Sequence, residues 1–177
     1  MKSFSILGIS GSLRPDSTNT IILSAFKGLL PADTHFQIFQ GLDEIPHFSP
    51  GLDDTEAVIR FKKAIQQADG VIICTPEYAF GVPGTLKNAL DWTVATGDLN
   101  DKPVSAISAS PLNTGGDKAL ASLLLTLTAL GTRRNDHSSL SIPNIKHKIG
   151  PDKTVSDQET LLALKGQCDN LMTIIAS

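Results

Sequence analysis

Ile6-Leu7-Gly8-Ile9-Ser10-Gly11-Ser12-Leu13-Arg14-Pro15-Asp16-Ser17-Thr18-Asn19-Thr20 is the stretch from which the fold is read. An apolar run from Phe4 to Ile9 breaks into small hydroxyl residues, a glycine and an arginine, and a helical pattern begins near Ser17. This is a strand, a polar loop and a helix start in immediate succession. Such a loop gathers backbone N–H groups, side-chain hydroxyls and the positive end of a helix at one point, which suits a phosphate. The Arg14 guanidinium adds a two-pronged, charge-assisted contact. The loop therefore reads as the phosphate site of a nucleotide-like cofactor. Read blandly, it is a hydroxyl-rich turn with Ser17 as an ordinary N-cap. Arg14 between two hydroxyl clusters favours the anion site.

Outward from this loop, strand-like runs alternate with helical segments. Ile21, Ile22, Ala25, Phe26, Leu29 and Leu30 recur at helical spacing until Pro31. Thr34 to Gln40 alternates polar and apolar, as an edge strand does, and Gly41 to Gly51 reads as loop. Asp53 or Asp54 is expected to cap a second helix with Ala57, Val58, Phe61, Ala64, Ile65 and Ala68 inward. Gly70 to Thr75 is a continuous apolar strand, buried on both faces. Pro83 opens a third helix, expected to reach about Thr96, because a missing N–H is harmless in a first turn. Pro103 to Ala109 is a fourth strand. Ala119 to Leu130 is a strongly apolar helix, expected to be covered on more than one side, by the sheet or by a partner subunit. Thr132 to Ile142 holds the fifth strand. Ser156 or Asp157 caps a last helix with Leu161, Leu164, Cys168, Leu171 and Ile175 inward. Five strands separated by helices argue for an open parallel sheet with helices on both faces, and ligands bind such sheets beyond the C-terminal strand ends. The loops there, after the first, third and fourth strands, are each rich in Gly, Pro or Ser.

Composition narrows the function. The 177 residues are most simply one domain, able to bury roughly 70% of the unfolded surface. A net charge of −3 and a pI of about 5.7 argue against a nucleic-acid binder. There is no apolar run of about 18 residues to span a membrane, and the start, with Lys2 and a short strand, does not read as a signal peptide. Cys74 lies in an apolar run and reads as a buried small hydrophobe, Cys168 is far from it, and a cytoplasmic protein is expected. His35, His47, His137 and His147 lack metal-ligand spacing, and no Ser-His-Asp or paired-carboxylate arrangement exists.

The first loop is neither a Walker A motif nor a dinucleotide fingerprint, since G-K-[ST] and G-x-G-x-x-G are both absent. The loop after the third strand, Thr75 to Gly84, places Tyr78 and Phe80 at the functional edge, in a chain with only seven Phe, one Tyr and one Trp. Aromatics there can wall a flat ring whose polar edge meets backbone groups. Glu77 has no second carboxylate or His beside it in sequence, so a positioning contact or an ion pair, within the chain or across an interface, is expected of it rather than acid catalysis.

Two motifs, G-I-S-G-S-L-R-x-x-S-x-N (Gly8 to Asn19) and T-P-E-Y-x-x-x-V-P-G-x-L-K-N-A-L-D-W (Thr75 to Trp92), resemble the NADPH-dependent FMN reductase family, flavodoxin-like proteins that include chromate, quinone and azo-dye reductases. The resemblance covers most of the chain. It implies a single flavodoxin-like FMN-binding domain over residues 1–177, an α/β three-layer sandwich with a five-stranded parallel sheet of order 2-1-3-4-5. It implies bound FMN, reduced by NADPH or NADH, with electrons passed to a small acceptor: a quinone, azo compound, metal oxyanion or free flavin. By the same resemblance Ser10, Ser12, Leu13, Arg14, Ser17, Thr18 and Asn19 form the FMN phosphate loop. Pro76, Glu77, Tyr78 and the backbone of Ala79 and Phe80 line the isoalloxazine, and Ser110, Gly115 and Gly116 approach its pyrimidine side. Many members have Asn where this chain has Ala79, so an amide contact to the flavin is missing here. The family also implies a dimer or tetramer. No catalytic side chain is required, because the flavin carries the chemistry. The rivals are a flavodoxin-like electron carrier, which would need a dense acidic docking patch where these charges are mixed, and a flavin-free enzyme on a nucleotide-like substrate, for which only Glu77 and Asp117 are available.

Overall fold

The computed structural model describes residues 3–177; the expectation about the extreme N-terminus falls partly on residues outside this range. The strands are β1 (Ser5–Ser10), β2 (His35–Ile38), β3 (Gly70–Thr75), β4 (Val104–Ala109) and β5 (Ser139–Ile142). The helices are α1 (Thr18–Leu29), α2 (Glu56–Gln67), α3 (Gly84–Asp91), α4 (Asp117–Ala129) and α5 (Gln158–Ala176). All pairings are parallel, in the order β2-β1-β3-β4-β5. Ser10 pairs with Cys74 and Thr75 with Ser108, so β1, β3 and β4 end level with one another. The fold is the expected flavodoxin-like α/β sandwich.

Side-chain alternation along the strands builds two cores. On one face Leu7, Ile9, Val71, Ile73 and Val104 meet Val58, Phe61 and Ile65 of α2, Leu86 and Leu90 of α3, and Leu123 and Leu127 of α4. On the other, Ile6, Ile72, Cys74 and Ile107 meet Ile22, Leu23 and Phe26 of α1 and Leu164, Cys168 and Leu171 of α5. Every residue of β3 and β4 is buried, which is why these strands read as unbroken runs. Strand β2 is an edge and alternates.

Boundaries depart from the sequence pattern where side chains compete for the backbone. Helix α3 stops at Asp91 rather than near Thr96: the Thr93 hydroxyl donates to the Leu90 carbonyl (2.7 Å), and the chain tightens into turns that pass through Gly97, φ 64°, and continue to Asp101. Neither Asp53 nor Asp54 caps α2. Thr55 holds that position without a side-chain bond, while Asp54 pairs at 2.8 Å with Lys62, a buried ammonium that needs a counter-ion. Strand β5 is shorter than expected because Asn135 to Ser138 folds into a side-chain-bonded turn, leaving only Arg133 to bridge to Pro103. Within this chain α4 is buried along one line only, Ala119, Leu123 and Leu127, and Leu125 is exposed.

Candidate cofactor site

The C-terminal ends of β1, β3 and β4 carry the loops that form the site. Beyond β1, the Gly11 N–H donates to the Cys74 carbonyl at 2.8 Å, drawing the loop against β3. A Cβ at Gly11 would lie 3.0 Å from Thr75 Oγ1 and 3.1 Å from Leu86 Cδ2, so only glycine permits this approach without a shift. Ser10 Oγ accepts from Thr20 Oγ1 at 3.2 Å. Ser17 caps α1: its Oγ accepts from Asn19 N at 3.2 Å and Asn19 Nδ2 at 3.3 Å. The Cys74 thiol donates to Asn19 Oδ1 at 3.3 Å, fixing the amide with its NH2 toward the cap. Burial pushes that thiol far above its ordinary pKa, so it stays protonated as a donor.

A cleft of about 230 Å³ opens over these strand ends. Ser12, Arg14, Thr18 and Asn19 line it from the first loop, Pro76, Glu77 and Tyr78 from the second, and Ser110 from the third. Ala109, Pro111, Ile145 and Lys146 complete the lining. An adjoining depression of about 170 Å³ is lined by Ser10, Ser12, Leu13 and Arg14 together with the segment after β2, Ile38 to Asp43. Ser10 and Leu13 thus face the neighbouring depression, and Ser17 is wholly buried in its capping role.

In the second loop, Tyr78 and Gly81 exchange backbone hydrogen bonds, each 3.0 Å, around Ala79 (φ 49°) and Phe80 (φ 61°). Two successive positive φ values mark a primed turn, strained for residues other than Gly or Asn. The turn carries Ala79 and Phe80 outward, and neither lines the cleft; Phe80 is 78% exposed. Glu77 Oε2 accepts from the Ala119 N–H at 3.0 Å, in the first turn of α4, where the helix dipole favours its charge. This is the positioning contact expected of Glu77, made within the chain.

In the third loop, Gly115 and Gly116 lie outside the cleft. Gly115 packs against the backbone of Ile142 and Pro143, and Gly116 lies against Ser108 and Glu77. The loop after β5 is the part of the site that sequence reasoning missed. Asn144 N donates to the Leu112 carbonyl and Ile145 N to the Ser110 carbonyl, each at 3.1 Å, and these bonds seat Ile145 and Lys146 against the third loop.

The arrangement offers a cationic loop at a helix N-terminus, hydroxyl and amide donors, and a half-exposed tyrosine on a backbone-rich edge. Among the described residues no group of three or more His, Cys, Asp or Glu is placed to hold a metal. These donors fit a flavin mononucleotide: an anion at Arg14 and the start of α1, a flat ring at the Pro76–Tyr78 edge.

Comparison with known proteins agrees with this geometry. Residues 4–147 match the family model described as NADPH-dependent FMN reductase. The chain is 33% identical over 172 residues to a quinone reductase of Escherichia coli K12, covering 92% of this chain and 90% of that one. It is 35% identical over 130 residues to an NAD(P)H-dependent FMN reductase of Pseudomonas aeruginosa, covering 71% and 70%. Among solved structures it resembles the flavoenzyme NAD(P)H:(acceptor) oxidoreductase FerB of Paracoccus denitrificans, with a TM-score of 0.87, 29% identity, and 98% and 97% of the two chains covered.

Proposed function

The chain belongs to the NADPH-dependent FMN reductase family and is an NAD(P)H-dependent FMN oxidoreductase, and from that premise we propose that it delivers electrons to a small quinone-type acceptor without a partner protein. FMN held in the cleft would supply the redox chemistry between nicotinamide and acceptor. The protein's part is to hold the nucleotide. Arg14, Ser12, Thr18 and Asn19 bind its phosphate end; Pro76, Glu77 and Tyr78 flank its ring, with Ser110 across from them. Glu77 positions rather than donates protons, since its carboxylate is engaged by the Ala119 N–H. Ser10 and Leu13 shape the phosphate loop, and Ser17 holds the helix start on which that loop depends. The turn at Ala79 and Phe80 fixes the Tyr78 edge, and Gly115 and Gly116 let the third loop close on Glu77.

The observation that carries this reading is convergence: an arginine near a helix N-terminus, without an ion pair among the described residues, and an aromatic loop edge line one cleft. The acceptor class is supported by the quinone reductase of E. coli, matched over nearly the whole chain. The reading includes self-association as a dimer or tetramer, supported by exposed Val94 beyond α3 and Leu125 on α4. It also places the protein in the cytoplasm, which the two free thiols suit; no helix among the described residues is long and apolar enough to cross a membrane. The test is spectroscopic. Protein reconstituted with FMN, given NADPH or NADH anaerobically, should lose its oxidised-flavin bands and regain them on addition of a benzoquinone. Protein that takes up no FMN overturns the reading, and bleaching without quinone turnover overturns the acceptor class.

A further inference from the structure

Three lysines follow β5 in close succession, and they are not alike. Lys148 Nζ lies 3.6 Å from Asp157, and Lys153 Nζ lies 2.7 Å from Asp16. Lys146 makes no ion pair among the described residues, nor does Arg14, and both line the same cleft. The one carboxylate in that lining, Glu77, is already bonded to a backbone N–H. The cleft therefore holds two cations without a counter-charge of their own. Such a lining favours an anionic ligand.

Lys146 is well held for such a role. Its neighbour Ile145 is buried, with 1% exposure, and Asn144 and Ile145 donate to the third loop through the backbone bonds described above. The His147 N–H donates to the Asn144 carbonyl at 3.0 Å, closing a short 3-10 turn around the lysine. The connections β1–α1 and β5–α5 lead to the two helices that share one face of the sheet, whereas the Pro76–Tyr78 and Ser110–Gly116 loops lead to helices on the other. The Lys153–Asp16 pair ties these two same-face connections together. Lys146 thus lines the cleft together with Arg14 and Thr18 of the first loop, from a connection that shares its sheet face with α1.

We propose that Lys146 is a second cationic contact for the phosphate of the flavin nucleotide, acting with Arg14 from a separate loop. The proposal rests on the FMN reading above. It goes beyond that reading in assigning a residue outside both motifs, on a segment with no flavin-related pattern of its own. Two cations on separate loops neutralise a phosphate dianion more fully than one arginine, and a preordered backbone limits the entropy lost on binding.

The test compares two ligands that share a ring and a ribityl chain and differ in the phosphate. Flavin-free protein is titrated with FMN and with riboflavin, following quenching of flavin fluorescence. Lys146→Ala should weaken FMN binding about tenfold while riboflavin binding stays within about twofold of the parent. Lys146→Arg should retain most of the FMN affinity, and the loss in the alanine variant should shrink at high salt. Lys146 is exposed, so an unchanged melting temperature is expected and excludes a folding effect. Equal losses for both flavins, or no loss for FMN, overturn the proposal. A parent that binds neither flavin overturns the FMN reading itself, and this assignment with it, and is told apart by the parent titration alone.

Discussion

On the proposed reading, Arg14 is the cation at the phosphate end of the cofactor. It is exposed and makes no ion pair within the described residues, so removing it takes nothing from the core. A guanidinium–phosphate contact contributes about 2 kcal/mol, roughly a thirtyfold change in affinity. Arg14→Ala should lose FMN by about that factor while its unfolding midpoint without flavin stays with the parent's. Equal FMN affinity in fluorescence titrations of the two proteins would refute the assignment. Ala79 poses the opposite case, a residue whose effect is on the backbone. With φ at 49° it occupies the left-handed region that Asn and Gly tolerate and Ala does not. The Asn that the family resemblance leads one to expect here would relieve that strain, whatever its amide contacts. Ala79→Asn should stabilise the fold by about 1 kcal/mol, seen as a rise of roughly 2–4 °C in the melting temperature. A lower midpoint would show that the turn is not held in this conformation.

At the scale of elements, the site is assembled by helix starts, and those of α1, α4 and α5 each have a side-chain cap. Helix α4 begins at Gly116, which has no side chain to offer, and Glu77 caps it from another loop. The contact joins the β3 loop to the β4 loop, so one carboxylate fixes two sides of the cleft. Glu77→Ala should cost about 1 kcal/mol in urea unfolding, whereas Glu77→Gln keeps an acceptor and should cost less. If Gln and Ala are equally destabilising, the cap is not the source of the loss. Helix α5 starts on Asp157, whose carboxylate accepts from the Thr160 hydroxyl (2.6 Å) and N–H (2.9 Å). Those bonds, the hydroxyl first, hold its carboxyl below the ordinary carboxylate range. A lowered folded-state pKa contributes stability that is complete above the unfolded value and disappears as the pH falls through the folded one. Asp157→Asn should therefore narrow the gap in stability between neutral pH and pH below about 4, leaving the acid-side values close to the parent's. Melting curves across that window check it.

Across the whole molecule, what sequence pattern shows is what local chemistry determines. Strand β3 was legible because burial on both faces demands an unbroken apolar run, and α1 because Ser17 and Pro31 punctuate it. The first two loops were legible as strand-end loops because their glycines, hydroxyls and aromatics break sharply from the apolar runs before them. The contribution of Ile145 and Lys146 was not, since it depends on two backbone bonds to Ser110 and Leu112 across the strand ends, and backbone bonds leave no mark on residue type. Gly115 and Gly116 carry a second signal that residue type does not separate from ligand contact: positive φ and close approach to Pro143 and Glu77 also call for glycine there. The loops proposed to hold the cofactor also tie the sheet's C-terminal edge together, so binding there should stabilise the whole fold. A ligand that binds only the native state, present at a hundred times its Kd, adds about 2.7 kcal/mol. For a protein of this size that is a rise of roughly 5–10 °C in the melting midpoint. Far-UV circular dichroism melts with saturating FMN should show it, and riboflavin at the same concentration should raise the midpoint less, because it leaves the cations of the cleft unsatisfied. Arg14→Ala should bring the FMN-dependent rise down toward that given by riboflavin. A midpoint that FMN fails to move would mean that the strand-end cleft and the flavin site are not the same place.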